Sequence, residues 1–324
     1  MQNLIILTSK IRHGRIRIFR FKFLDLIRKL NLLDKGLFPV IEWFREDLGW
    51  KVLGISLCLL QPFFSYSAFE EVDLSARAVG MGGAYTGLSD EGTGLFYNPS
   101  GLTQLRSGEI TFFTSQLFGL KEFTYLVFAY GQPTPYGSAG LGFSQFGEKS
   151  YREQVLVLSY SNQWKNLLIG GSLKGMNLSI EEFGSDHALG MDMGLLWRLK
   201  EDLNLGAVGK NINGPALGNG EGLPQSIQFG LSFHPEREIL LNLDLNQEMI
   251  QGSRLPIQFR LGQEYLVSDF FALRAGWVTS PQTLTGGVGF GLHGIHLDYG
   301  VRSHPELGLT HSLALSYGLK QNNR

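Results

Sequence analysis

The amino-acid sequence predicts an all-β protein, a membrane-spanning antiparallel β-barrel of about fourteen strands. From residue 108 onward, segments of about ten residues alternate apolar and polar side chains, the pattern of strands with one face to lipid and one to a lumen. Every second connection between these segments is a tight turn, as expected when short turns lie on one side of a membrane. Glycine is abundant, with 42 residues, and aromatic residues make up 12% of the chain, which suits β-structure better than helix.

The alternation also predicts where the strands lie. It is clearest around residues 241–246, where three leucines alternate with Asn242, Asp244 and Asn246. The predicted strands are 108–116, 121–131, 138–147, 152–164, 166–180, 187–199, 203–210, 225–234, 239–248, 255–266, 270–278, 282–292, 295–303 and 309–320. A soluble β-sandwich has strands that alternate in the same way. An even number of similar strands, behind a secretory signal and without cysteine, favours the closed barrel.

Residues 51–67 have the form of a signal peptide. A lysine precedes an apolar run that is too short to span a bilayer as a permanent helix, and small residues follow the run. We expect cleavage near Ser67 or Ala68, which removes the single cysteine, Cys58. The mature chain would then contain neither a disulfide nor a cysteine–metal site.

Residues 1–50 form a basic N-terminal extension, with ten Lys/Arg against five Asp/Glu. Two interpretations stay open. The extension resembles a basic amphipathic helix at a membrane surface. Alternatively it is an artefact of the gene model, with the true start just before Trp50, and we favour this because signal peptides are about 15–30 residues long.

A glycine-rich stretch, residues 76–102, precedes the first predicted strand. It is too irregular for a strand and too rich in glycine for a stable helix. Asn98 followed by Pro99 is typical of a helix cap with proline at the first helical position. A nucleotide-binding loop is excluded because position 85, where its motif needs a third glycine, is a tyrosine.

This stretch also carries a family resemblance. Its sequence, RAVGMGGAYTGLSDEGTGLFYNPSGL, resembles the N-terminal signature of the FadL-like outer-membrane barrels, and it is most similar to the PorV/PorQ group. The resemblance continues more weakly to the C-terminal end of the chain. It implies that residues 68–107 fold as a plug segment in the lumen of a barrel formed by residues 108–320. It also implies a bacterial outer-membrane location.

Candidate site residues lie in the predicted plug and on the luminal face of the strands. The plug contributes Arg77, Asp90, Glu91, Asn98 and Pro99, and the strands contribute Asp192, Asp244, Arg260, Arg274, Asp298 and Arg302. A charge on the lipid face costs about 2–4 kcal/mol at mid-membrane, so these side chains must point inward. They either steer a solute or form a charge network that packs the plug, and we favour the network. We expect Asp90 or Glu91 to meet one of the three luminal arginines.

The sequence gives little support for catalysis. His296 and Asp298 share the luminal face of one strand, and Ser312 and Ser316 share that of the next. No turn motif exposes a serine as a nucleophile, so we expect no enzymatic activity and no catalytic residue. We expect no cofactor and no metal site either. The chain after residue 50 is acidic, with 18 basic and 24 acidic residues, which argues against nucleic acid as a partner.

The resemblance leaves two functions open. FadL-type members admit hydrophobic compounds passively, which implies a small hydrophobic ligand, outer-membrane lipid as surroundings, and lateral exit through the wall. Gly140 and Gly142 could let their strand kink and open there, or they could allow close contact with the plug. PorV-type members act instead as non-enzymatic partners of secretion-system proteins in type IX secretion and surface attachment. We favour passive uptake.

Overall fold

The structure is a computed structural model, and it describes residues 68–218 and 220–319. The predictions for residues 1–50 and 51–67 therefore lie outside the described residues. The described residues form a closed antiparallel β-barrel of fourteen strands around a folded N-terminal segment, which confirms the predicted fold class. None of the helices in these ranges has the length and the apolar composition of a membrane span.

The strands lie within a few residues of their predicted positions. They are β1 Glu109–Gln116, β2 Thr124–Thr134, β3 Gly137–Glu148, β4 Tyr151–Trp164, β5 Leu167–Ile180, β6 Gly184–Lys200, β7 Leu203–Lys210, β8 Gln225–Glu236, β9 Ile239–Ile250, β10 Ser253–Arg254, β11 Gln258–Ser268, β12 Phe271–Thr279, β13 Gln282–Leu292, β14 Ile295–His304 and β15 Gly308–Gly318. The short β10 is an extension that pairs with β9. The other fourteen strands pair in chain order, and β15 pairs with β1 to close the barrel.

Two of the boundaries that differ from the prediction have local reasons. The segment Lys121–Phe123 forms a turn of 3₁₀ helix, so β2 begins three residues later than expected. The strand predicted from residue 255 begins at Gln258 as β11. Pro256 has no N–H to donate to a strand ladder, which explains the later start.

The two faces of the wall differ as the alternation predicts. On β9, Leu241 and Leu243 point outward and are 39% and 38% exposed. Their neighbours Asn242 and Asp244 point into the lumen and are 4% and 1% exposed. The outer face therefore presents apolar side chains all round, which is what a lipid environment requires.

The connections distinguish the two rims of the barrel. At the turn rim each connection in the described chain is two residues long: 135–136, 165–166, 201–202, 237–238, 269–270 and 293–294. At the loop rim the connections 117–123, 211–224 and 251–257 are longer. The other loop-rim connections, 149–150, 181–183, 280–281 and 305–307, are only two or three residues long. Long connections are thus present at only some positions of the loop rim.

The N-terminal segment from residue 68 to residue 107, called the plug below, lies inside the barrel. It contains the short helix α1, Ala76–Gly80, and the 3₁₀ helices Gly92–Phe96 and Pro99–Gln104. The Ser75 hydroxyl accepts a hydrogen bond from the amide of Ala78 and so caps α1. Most of the plug is buried, and Tyr85 and Leu102 are completely so.

Glycines of the wall allow the plug backbone to lie directly against the strands. A Cβ atom added at Gly170 would lie 2.5 Å from the carbonyl carbon of Pro99. One added at Gly230 would lie 2.5 Å from the amide nitrogen of Gly87. Contacts this short leave no room for a side chain, so the presence of the plug requires glycine at these two positions of the wall.

Candidate functional site: the plug and the cavities beside it

Arg77 on α1 is the centre of a buried charge network. Its guanidinium lies 2.9 Å from Asp90, 3.0 Å from Glu91 and 2.7 Å from Glu264 of β11. Glu264 in turn pairs with Arg274 of β12 at 2.6 Å. The network therefore joins the plug to the wall through charge-assisted hydrogen bonds, which are stronger than those between neutral groups.

This network extends to β14, where Asp298 pairs with Arg274 at 2.6 Å.

The expectation that Asp90 or Glu91 would meet a luminal arginine is wrong. Both carboxylates pair with Arg77 of their own segment, because the chain folds back on itself after α1.

The luminal arginines Arg260 and Arg302 have a different partner in the plug, Asp73. Its carboxylate pairs with Arg302 and lies 3.9 Å from Arg260. Arg260 also donates a hydrogen bond to the carbonyl of Gly83 at 3.4 Å. Asp73 stands just before the glycine-rich stretch, which is why attention to that stretch alone missed it.

Asn98 and Asp244 tie the plug to the wall through its backbone. The Asn98 amide donates to the carbonyl of Leu195 on β6 at 3.1 Å and to that of Thr86 at 2.9 Å. Its oxygen accepts from the amide of Ser100, and Pro99 follows at the first helical position as predicted. Asp244 of β9 accepts from the amides of Tyr85 and Thr86 at 2.9 and 2.8 Å.

Two luminal lysines, Lys174 and Lys210, were absent from the predicted set. Lys174 pairs with Asp192 at 2.6 Å, and Lys210 pairs with Glu71 of the plug at 2.7 Å. Burial alone would raise the pKa of Glu71, but Lys210 and Arg260 outweigh it and lower the pKa to about 2. Their positions in the alternating strands were a signal for the luminal face, and the acidic residues among 70–73 were a signal for the partner of Lys210.

Leu95 and Leu102 make an apolar contact on the opposite side of the plug. They are 1% and 0% exposed and pack with Ala129 of β2 and Val157 of β4. Hydrophobic burial stabilises this side, at about 25 cal/mol per Å² of apolar surface.

Gly140 and Gly142 of β3 lie against this apolar side of the plug. Cβ atoms added there would meet Leu102 and Leu95 at 2.8 and 2.5 Å. β3 is hydrogen-bonded along its length to β2 and β4. The geometry at these glycines therefore favours close contact with the plug over an opening in the wall.

A cavity of about 120 Å³ lies between the plug and the wall near the loop rim. We call it the loop-rim cavity. Its apolar side chains come from the plug and from β2 to β5: Phe69, Val72, Leu74, Leu95, Phe96, Tyr125, Phe146, Val155, Val157 and Met176. Its charged side chains are Glu70, Glu71, Glu153, Lys174, Asp192, Lys210 and Glu248.

A second cavity, of about 330 Å³, lies near the turn rim and is more polar. Arg77, Asp90 and Glu91 of the plug line it, together with Arg274 and Asp298 of the wall. The plug therefore contributes side chains to a cavity at each end of the lumen. An apolar solute would meet aromatic walls at the loop rim and a charge network at the turn rim.

Three of the four residues considered for catalysis, Ser312, Ser316 and Asp298, have other partners. Ser312 donates to the hydroxyl of Ser115 at 2.9 Å, and Ser316 lies 2.9 Å from the hydroxyl of Thr111. Asp298 pairs with Arg274. These contacts account for the residues as hydrogen-bonding groups of the lumen.

Comparison with solved structures finds barrels of the same fold. The CymD monoaromatic hydrocarbon channel matches with a TM-score of 0.57 and 14% identity, over 79% of this chain and 100% of that chain. The Ralstonia pickettii toluene transporter TbuX matches with a TM-score of 0.59 and 13% identity, over 76% and 98% of the two chains. A Pseudomonas aeruginosa FadL homologue matches with a TM-score of 0.53 and 11% identity, over 77% and 99%.

Comparisons with protein-family models and with curated proteins give no match. At identities of 11–14% the structural matches establish the fold. The chain has the fold of the FadL-like barrels, as the glycine-rich stretch predicted. The narrower resemblance to the PorV/PorQ group stays a prediction.

Proposed function

We propose that this protein is a channel for passive uptake of small hydrophobic compounds across a bacterial outer membrane. The loop-rim cavity is the observation that carries the proposal. Two proteins with the same fold, CymD and TbuX, are described as a monoaromatic hydrocarbon channel and a toluene transporter. The apolar outer face of the described strands supports a membrane location.

The size and lining of the loop-rim cavity suit a molecule with one aromatic ring. An apolar protein cavity of about 150 Å³ is large enough to bind benzene. The loop-rim cavity, at about 120 Å³, is of comparable size. Tyr125 and Phe146 stack with ring centroids 4.5 Å apart and give it an aromatic wall.

Passage through the lumen requires the plug to move. The plug fills the space between the two cavities, with α1 bound to β11 through Arg77 and Glu264. A solute in the loop-rim cavity contacts Phe69, Val72 and Leu74, which belong to the part of the plug before α1. We propose that displacement of this part, residues 69–74, opens the way inward. The luminal charges then serve to position the plug.

Filling the loop-rim cavity tests this proposal. Val155 of β4 lines the cavity, and the adjacent Leu156 points outward and is 49% exposed. We expect Val155→Trp to reduce the uptake of labelled toluene by intact Gram-negative host cells to that of cells without the channel. The matched variant Leu156→Trp should retain uptake, since tryptophan is tolerated at a lipid-facing position. Equal uptake by the two variants would contradict the proposal.

The alternative function, a partner in type IX protein secretion, is favoured by one observation. Several loop-rim connections are only two or three residues long, so few loops stand above the loop-rim cavity to capture a solute. If cells that contain the protein take up no more toluene than cells without it, and it co-purifies with one secreted protein, the secretion role should replace transport.

A further inference from the structure

The carboxylates of the loop-rim cavity are not balanced by cations. Lys174 and Lys210 are each engaged, by Asp192 and Glu71 respectively. In residues 68–218 and 220–319, no lysine or arginine lies within ion-pairing distance of the remaining carboxylates, Glu70, Glu153 and Glu248. The Glu153 carboxylate accepts a hydrogen bond from Tyr151. Glu70 and Glu248 have no such donor at their buried oxygens.

Orphaned acceptor atoms give a second, independent observation. Oε1 of Glu70, Oε1 of Glu248 and Oδ1 of Asn211 are buried and have no hydrogen-bond partner within the described chain. Asn211 is only 6% exposed, and its amide nitrogen is occupied by the carbonyl of Pro224 at 2.6 Å. All three residues line the loop-rim cavity. Buried acceptors without donors are costly, so a ligand that supplies donors would bind favourably.

We propose that the loop-rim cavity takes a single-ring aromatic molecule that carries a positively charged ammonium group. The ring lies against Tyr125 and Phe146, and the ammonium lies among Glu70, Glu153 and Glu248. An ammonium group has three N–H donors and no acceptor, which suits an environment of unpaired acceptors. This inference rests on the proposed function, because it names the class of solute that the channel admits.

Glu70 makes this binding dependent on pH. Burial raises the pKa of Glu70 to about 8, and the nearby carboxylates Glu248 and Glu153 contribute to the rise. The charged and titratable groups that line the cavity around it are Glu71, Glu153, Lys174, Asp192, Lys210, Glu248 and Tyr125. Below about pH 8 Glu70 holds a proton that an ammonium ligand must displace. Affinity for the amine should therefore increase between about pH 6 and pH 8, while affinity for a neutral ring should not change.

Fluorine-detected NMR of the full chain in detergent tests the proposal. The probes are 4-fluorobenzylamine, 4-fluorobenzyl alcohol and 4-fluorotoluene, each corrected for partition into protein-free micelles. At about pH 8 we expect the amine to bind about tenfold more tightly than the toluene, with the alcohol between them. Glu248→Gln should lower amine affinity about tenfold and leave toluene affinity unchanged. The control Glu122→Gln alters an exposed carboxylate outside the cavity and should change neither.

The outcomes separate this inference from the proposed function. If the amine binds no more tightly than the toluene, or the alcohol equals the amine, selection of an ammonium is wrong and a hydrophobic channel remains. If none of the probes binds to the unmodified protein, the proposed function fails as well. The comparison of probes on the unmodified protein does not depend on whether the Glu248 variant folds.

Discussion

The plug is held by two different kinds of contact on its two sides. Towards β11, β12 and β14 it is bound by the charge network of Arg77, Glu264, Arg274 and Asp298. Towards β2, β3 and β4 it presents Leu95 and Leu102 to small side chains and glycines. The first kind of contact fixes direction and distance, and the second requires only that the surfaces fit.

This difference matters for a segment that must also move. A buried ion pair adds little net stability, because its formation requires desolvation of both charges. Removal of one partner is nevertheless strongly destabilising, because the other charge is left buried and unpaired. An apolar contact can slide or re-form with little directional penalty. The charge network around Arg77 therefore positions the plug, and the apolar contacts of Leu95 and Leu102 can adjust when residues 69–74 are displaced.

Removal of Arg77 should have the largest effect on the plug. In Arg77→Met, the Glu264 side chain, which is only 6% exposed, loses one of its ion-pair partners. Asp90 and Glu91 lose the arginine with which they pair. We expect a loss of about 3–5 kcal/mol in stability. Chemical denaturation of the protein in detergent, followed by circular dichroism, measures it.

The control for this experiment is Arg237→Met. Arg237 pairs with Asp269 at the turn rim, and both side chains are at least 80% exposed. An exposed pair of this kind contributes less than about 1 kcal/mol. If the two variants lose similar stability, the charged side does not position the plug.

The apolar and backbone contacts are tested by filling a wall glycine. Gly170→Ala on β5 places a methyl group against the backbone of Pro99 and Ser100. Overpacking of this kind costs about 1–3 kcal/mol, so the midpoint of thermal unfolding in detergent should fall. Gly175, on the same strand, has no atom within 4 Å of an added Cβ. Gly175→Ala should leave the midpoint unchanged, and an equal fall in both would indicate an effect of strand conformation alone.

The strands could be predicted because their physical cause is local. Successive residues of a strand in a membrane barrel face lipid and lumen in turn. The faces of Leu241 and Asp244 can therefore be predicted from their positions along the strand, without any knowledge of distant contacts. The same parity identified Arg260, Arg274 and Asp298 as luminal.

The partners of those charges could not be predicted in the same way. Asp73 meets Arg302, which is 229 residues later in the chain, and parity gives no information on which plug residue lies at which height in the barrel. The orientation of α1 decides that Arg77, and not a wall arginine, takes Asp90. The loop-rim cavity depends on a mismatch between two surfaces, and a pattern along one strand does not show it.

Two adjacent glutamates of the plug provide the most specific test. The pKa of Glu71 is lowered to about 2, and the pKa of Glu70 is raised to about 8, from a common ordinary value of 4.5. The ionised form of Glu71 is stabilised in the folded protein, so its contribution is present above pH 4.5 and is lost as pH falls towards 2. The neutral form of Glu70 is stabilised, so its contribution is present below pH 4.5 and is lost as pH rises towards 8.

Substitution by glutamine should therefore change opposite limbs of the stability curve. Glu70→Gln is neutral at every pH, so it should abolish a decline of up to about 1.4 kcal/mol per pH unit between about pH 4.5 and 8. It should be more stable than the unmodified protein at pH 8, in denaturation curves recorded across this range. Glu71→Gln should be less stable than the unmodified protein at neutral pH, because Lys210 no longer has a carboxylate to pair with. It should lose less stability on acidification, because glutamine does not titrate. If both variants shift the same limb, the two neighbours do not occupy the opposite electrostatic environments that divide this part of the plug.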